Sequence, residues 1–181
     1  IAGAGSFFLP ATLTRDNEDA FDEAQDDPNY YYTDAISENA SQYIKGHTTN
    51  SAEKPFFLYV AYTAPHWPMH APEHIVQKYL GKYRGGWDEL RKNRWSRIAE
   101  LGFPVDSWKL TERTPFIPAW NDLAADGIPK ELAQVPGIDS PDKVREVMDR
   151  RMAIYAAMVE QMDTGIGRIV NTLKETGQFE N

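Results

Sequence analysis

The chain has four histidines, at positions 47, 66, 70 and 74, and no cysteine. Disulfides, thiolate metal sites and cysteine nucleophiles are therefore excluded within it, and imidazole is the side chain that titrates near neutral pH. Three of the four histidines fall in the stretch KPFFLYVAYTAPHWPMHAPEH, residues 54–74. His66 stands beside Trp67 between Pro65 and Pro68, a titratable ring next to a large aromatic on a loop stiffened by prolines. That combination marks it as part of a site. His66, His70 and His74 are spaced by four, which on a helix would stack them on one face as metal ligands. Pro65, Pro68 and Pro72 argue against a helix there, and the metal site is disfavoured. His47, in the polar loop HTTNSAEK, reads as a surface histidine.

The element that must position His66 is the apolar run Pro55–Tyr62, which has no polar alternation. A run of that kind predicts a strand buried on both faces, as in the middle of an α/β sheet. A buried helix is the competitor, and it loses to the bracketing prolines and to the strand formers Phe56, Phe57, Tyr59, Val60 and Tyr62. In open α/β sheets ligands are held at the carboxyl ends of strands, where Thr63, Ala64, Pro65 and His66 follow.

Residues 1–14 read as a glycine-flexible entry and a short strand or extended arm with Pro10 at its edge. Residues 15–29 are dense in Asp and Glu. A calcium loop of the EF-hand type needs a turn glycine at its sixth position, and no glycine lies between Gly5 and Gly46, so a solvated acidic loop is the reading adopted. Tyr30, Tyr31 and Tyr32 read as packing. Thr33 is the expected cap of a helix with Ile36, Ala40, Tyr43 and Ile44 on one face, ended by Gly46. A short helix is expected at 73–80 behind Pro72, and an amphipathic helix at 87–101. Seven bases between Lys78 and Arg97 could meet an anionic substrate, but a solvated face is the simpler account.

Residues 103–140 are rich in Pro, Trp and Gly, with a short helix expected around 121–125. Such a long loop is a covering or functional excursion. From Ser140, an N-cap with Pro141 at the first helical position, a long helix is expected to end at Gly177. Its stripe of Met148, Met152, Tyr155, Val159, Met162, Ile166, Ile169 and Leu173 should pack on the sheet, with a kink or break near Gly165 or Gly167. Asp163 should cap or pair locally.

The totals bound the classes. At 181 residues, 41% hydrophobic and 25% charged, the chain suits one globular domain or a large piece of one. The net charge of −8 belongs to the first 53 residues, where ten acids face two bases; the rest is balanced. A nucleic-acid partner is disfavoured, because no large basic surplus exists. No apolar run reaches the roughly 18–20 residues that span a bilayer. Ile1 is not an initiator Met, and there is no signal peptide to read.

Five collinear stretches carry a resemblance: GSFFLPATLTRDNE at 5–18, YYYTDAI at 30–36, KPFFLYVAYTAPHWPMHAP at 54–72, GGWDELRKNRWSRIAELG at 85–102 and RRMAIYAAMVEQMDTGIGRIVNTLKETGQFEN at 150–181. Together they resemble the middle of a bacterial arylsulfatase of the type I sulfatase family. The resemblance implies an alkaline-phosphatase-like α/β sandwich and makes residues 1–181 an internal part of one sulfatase catalytic domain. It implies hydrolysis of aryl or carbohydrate sulfate esters, a formylglycine nucleophile formed in a C/S-x-P-S-R motif, a Ca²⁺ ion and a periplasmic or secreted location. Neither the nucleophile motif nor the Asp-Asn-Gly motif that supplies Ca²⁺ ligands occurs in this sequence. They are expected upstream and downstream, so no metal or cofactor is expected on residues of this segment. Alone it is expected to be inactive and to need flanking sulfatase segments to complete its sheet.

By the same resemblance His66 matches the family histidine that contacts the sulfate and protonates the leaving oxygen. General acid catalysis of that kind is worth about 10²–10⁴-fold in rate, and a protonated imidazole also stabilises an anionic sulfate. Trp67 is a candidate wall for an aryl or sugar ring, or packs beneath the turn, and His70 is a candidate substrate contact. The rival classes are a non-catalytic binding or interaction module on the same scaffold, and the His66/His70/His74 metal site.

Overall fold

The computed structural model describes residues 5–124, 127–128 and 130–180. The first four residues of the entry arm, the Ala125 end of the expected short helix, Pro129 and Asn181 lie outside the described residues. The elements are β1 (Thr14–Arg15), β2 (Glu18–Asp19), α1 (Phe21–Gln25), α2 (Tyr32–Ser51), α3 (Glu73–Val76), α4 (Gly86–Glu100), α5 (Lys130–Ala133) and α6 (Pro141–Glu175), with 3₁₀ turns at Val105–Ser107 and Trp120–Asp122. They form two compact units, residues 1–76 with 154–181, and residues 77–153.

In the first unit the acidic stretch is structured. β1 and β2 pair antiparallel, Thr14 opposite Asp19 and Arg15 opposite Glu18. Asp16 and Asn17 between them have φ of 51° and 69°, the left-handed pair of a two-residue hairpin, which Asp and Asn tolerate better than other non-glycine residues. Arg15 reaches Glu23 of α1 at 2.8 Å and Asn39 of α2 at 2.7 Å. This hairpin is the whole sheet content of the described residues. The expected central strand, Pro55–Tyr62, forms neither helix nor ladder, and Phe57 and Tyr59 are 93% and 79% exposed. A doubly buried strand needs a hydrogen-bonded neighbour and a covering layer. No described residue supplies the ladder.

α2 is longer than expected at both ends. Tyr31, with extended backbone, precedes it, so Thr33 is not its cap, and Gly46 does not end it. Beyond Gly46 the side chains of Thr48, Thr49 and Asn50 each donate to the carbonyl four residues back, at 2.9 Å, which satisfies the last turns locally. Its buried face is Thr33, Ser37, Ala40, Ser41 and Ile44, while Tyr43 is exposed. That small, partly polar face meets α6. Gln161 donates to both oxygens of Asp34 at 3.0 Å, and Arg168 pairs with Glu38 at 3.4 Å. Between them, a Cβ on Gly165 would collide with the Ser37 hydroxyl and touch that of Tyr62.

α6 runs its 35 residues without interruption, about 52 Å at 1.5 Å per residue. Of the expected kink or break at Gly165 or Gly167, no break occurs; Gly165 marks close helix contact. The predicted stop is present: Gly177 has φ 70°, Gln178 N–H donates to Leu173 O at 2.8 Å, and Gly177 N–H to Lys174 O at 3.2 Å, the paired bonds of a Schellman motif. The expected apolar stripe is only partly buried. Tyr155, Val159 and Ile166 are exposed, and the face from Ala153 through Ala157 and Met158 is sealed.

The second unit packs Trp120, Leu123, Leu132, Ile138 and Val144 as its core. Trp87 meets Trp120 edge to face, centroids 5.0 Å apart. Trp120 donates from its backbone to Asp88 at 2.9 Å and from its indole to Arg84 O at 3.0 Å. α4 spans the expected helix within one residue at each end.

Two outcomes follow from this packing. At Gly86 the φ is 81°, and a Cβ would fall inside the Trp120 ring. Gly86→Ala should therefore cost about 2–4 kcal/mol in denaturant unfolding. Tyr30 is 8% exposed, and its hydroxyl has no hydrogen-bond partner among the described residues. Burial, with the neighbouring Tyr32 and Glu23, pushes its pKa from 10.0 to about 12. Folding thus keeps a proton that the unfolded chain releases, so stability is intact below pH 10 and falls as pH rises toward 12. Tyr30→Phe should match or exceed the parent at neutral pH, within about 1 kcal/mol, and lose less stability between pH 10 and 12. Tyr31, Tyr32 and Tyr83, also raised by burial, act in the same direction.

Candidate functional site

The turn at 63–68 is built outward from the first unit's core. Ala64, 6% exposed, packs in a cluster with Phe7, Tyr31 and Met158 of α6, and Met69 and Ala71 lie against the same cluster. Two residues on, the backbone closes: His66 N–H donates to Thr63 O at 2.9 Å. No helix forms between residues 52 and 72, so the proline argument against a helical histidine stack holds. Upstream, the Tyr62 hydroxyl lies 2.8 Å from Ser37 Oγ, tying the run that leads into the turn to α2.

The imidazole of His66 is exposed. Its Nδ1 lies 2.5 Å from the carbonyl oxygen of Trp67. A carbonyl only accepts, so Nδ1 carries the proton and donates. Nε2 is then the open position: a lone pair in the neutral ring, and an N–H donor in the protonated one. A proton leaving or entering this ring therefore passes through Nε2, on the side the turn leaves free. Trp67 is 62% exposed and is not packed beneath the turn. Five clefts among the described residues have linings that do not include His66.

His70 is differently placed. Its Nδ1 accepts from Phe7 N–H at 3.4 Å, and its carbonyl accepts from the Tyr31 hydroxyl at 2.9 Å. The ring stands edge-on to Phe7 and tilted against Phe8, centroids 6.1 and 6.2 Å away. An Nδ1 that accepts leaves the proton on Nε2, so His70 presents a donor where neutral His66 presents an acceptor. Sequence reasoning missed the clasp of Phe7 and Tyr31 on His70, because contacts spanning 63 and 39 residues leave no local signal. His74 lies in the single turn α3. Among the described residues no group of three or more His, Asp or Glu is arranged to hold a metal ion, the three histidines included.

Comparison with known proteins adds three findings. The family model described as Sulfatase matches residues 6–181. An uncharacterised sulfatase of Schizosaccharomyces pombe is 33% identical over 182 residues, covering 96% of this chain and 28% of that protein. An arylsulfatase of Klebsiella aerogenes is 30% identical over 152 residues, covering 84% of this chain and 28% of that protein. The chain thus spans little more than a quarter of the length of these relatives.

The geometry separates the three candidate side chains by their structural cost. His70→Ala removes the acceptor of Phe7 N–H and the ring between two phenylalanines, and should lower unfolding stability by about 1–2 kcal/mol. Trp67→Ala should change it by less than about 0.5 kcal/mol, because most of its ring is already in solvent.

Proposed function

Because the chain belongs to the sulfatase family, we propose that the intact protein hydrolyses sulfate esters of aryl or carbohydrate alcohols, and that His66 is the acid for the departing oxygen. The observation that supports this most directly is the hydrogen bond from Nδ1 to the Trp67 carbonyl, which leaves Nε2–H of the imidazolium as the one proton the ring can deliver outward. As the S–O bond breaks, its electron pair goes to the alcohol oxygen. That oxygen takes the Nε2 proton and departs as a neutral alcohol or phenol, and the neutral imidazole regains a proton from water. Avoiding a free alkoxide is worth about 10²–10⁴-fold. In the same reading Trp67 walls the ring of the leaving group, and the His70 Nε2–H contacts the sulfate.

The residues of this chain do not fit the Ca²⁺ ion and formylglycine that the family generally uses. There is no cysteine and no Ser-x-Pro-Ser-Arg, and no acidic group converges as ligands among the described residues. On this reading both belong to other segments of the intact protein. The same segments would pair the Pro55–Tyr62 run, cover the exposed Tyr155, Val159 and Ile166 of α6, and close a cleft over His66. No helix among the described residues is long and apolar enough to cross a membrane; a periplasmic or secreted location is part of the proposal.

A second reading has one observation in its favour. The ring of His66 faces solvent, as it would in a non-catalytic binding module that kept the scaffold. Turnover separates the two. The intact protein should hydrolyse p-nitrophenyl sulfate, and His66→Ala should lower kcat by about 10²–10⁴-fold with an unchanged unfolding midpoint. The loss should be larger on an alkyl or sugar sulfate, whose poorer leaving group depends more on the proton. An unchanged kcat removes His66 from the chemistry, and a parent inert toward all sulfate esters supports the binding module.

A further inference from the structure

The second unit holds a cleft of about 580 Å³, within the ordinary range of about 300–1,000 Å³ for small-ligand sites. None of its lining residues belongs to the His66 turn. Its walls are the Leu80–Arg84 turn, the Val135–Ile138 turn and the first turns of α6. Val135, Ile138 and Val147 give it apolar surface, with Ile138 part of the unit's core.

Its charges are not equivalent. Asp149 is 3% exposed, and both its oxygens are occupied by backbone N–H groups, Gly81 at 2.7 Å and Tyr83 at 2.8 Å. It holds the wall in shape and does not face a ligand. Glu146 pairs with Lys143 at 2.7 Å, and that bond, with the nearby Arg84 charge, holds its carboxyl below the usual range. Arg84 is exposed and gives its carbonyl to Trp120, but its guanidinium makes no hydrogen bond or ion pair among the described residues. Arg150 adds a further cation to the lining. In a chain of net charge −8, this is an apolar floor under a rim of net positive charge, with one planar cation that has Glu146 nearby but no hydrogen bond of its own to it.

We propose that this cleft binds a small amphiphilic anion, its apolar body on Val135, Ile138 and Val147 and its carboxylate or sulfonate head on the Arg84 guanidinium. A guanidinium donates two parallel N–H bonds to two oxygens of one anionic head, which a lysine cannot do. Neutral ligands of the same shape forgo that bond, and dianionic heads meet the Glu146 charge.

Methyl NMR of the intact protein tests this with three probes: 8-anilinonaphthalene-1-sulfonate, octanoate, and the uncharged N-phenyl-1-naphthylamine. One or both anions should shift the Val135, Ile138 and Val147 methyls to saturation. A response to the aromatic anion alone assigns the site to ring-bearing ligands, and to octanoate alone to aliphatic ones. The uncharged analogue should bind at least tenfold more weakly. Arg84→Gln, at an exposed position, should fold normally and lower the affinity of the responding anion at least about tenfold, since Gln can replace at most one of the two N–H bonds and carries no charge. Equal binding of the uncharged analogue, unchanged affinity in Arg84→Gln, or shifts confined to the exposed run at 56–59 would overturn the proposal. The sulfatase reading would be untouched, since it rests on other residues.

Discussion

The Tyr62 hydroxyl lies 2.8 Å from Ser37 Oγ, and Ser37 in turn donates to Thr33 O at 3.0 Å inside α2. Both hydroxyls sit where a side chain at position 165 of α6 would have to go. One glycine therefore lets a long helix close on a shorter one, over a hydrogen bond that fastens the segment leading to His66. The neighbouring contacts share the geometry. Gln161 to Asp34, Gly165 to Ser37 and Arg168 to Glu38 advance in the same order along both helices, so α2 and α6 run parallel through the contact. A polar bond partly buried in this way resists displacement more than its modest net strength suggests, since leaving either hydroxyl unpaired away from water costs about 1–3 kcal/mol.

From that fastening the chain reaches the turn in a few residues. Ala64 enters the Phe7–Tyr31–Met158 cluster, and the next residues fold back so that His66 binds Thr63 with its backbone and Trp67 with its ring. The imidazole is held by its own immediate neighbour, whose carbonyl selects the Nδ1–H tautomer. His70, four residues on, is held through the opposite hydrogen-bonding sense by a distant backbone group. Two imidazoles on one loop thus present different faces of the same chemistry: an acceptor that becomes a donor on protonation, and a standing donor. In the proposed cleavage of a sulfate ester the leaving oxygen would take a proton from the first and the sulfate oxygens a hydrogen bond from the second.

What could be read from the sequence was what local rules govern. α4 and α6 carry their periodicity openly, and Gly177 closes α6 with both bonds of its motif. The Pro-His-Trp-Pro turn and the family resemblance were visible because they are short and specific. The misses share a cause in contacts between distant residues. The α2 face was sought on Ile36, Ala40, Tyr43 and Ile44; Ala40 and Ile44 are buried, but so are Thr33, Ser37 and Ser41, residues that hydropathy counts as solvent-facing. Gly165 was taken for the site of a kink or break, and what it marks is a contact. Asp16-Asn17 lacks the glycine that usually advertises a two-residue hairpin, so β1 and β2 were hidden in an acidic stretch. The run at 55–62 has the composition of a central strand, but a strand becomes a ladder only through partners. No composition supplies those.

The account turns on which nitrogen of His66 carries the proton. Nitrogen-15 NMR of the histidine-labelled intact protein, recorded where the ring is neutral, reads this directly. With the Trp67 carbonyl as acceptor, His66 should be the Nδ1–H tautomer, with an unprotonated Nε2 and a one-bond N–H coupling at Nδ1. A His66 found as the Nε2–H tautomer, the form more common in free histidine, would contradict the hydrogen bond on which its proposed role as proton donor depends.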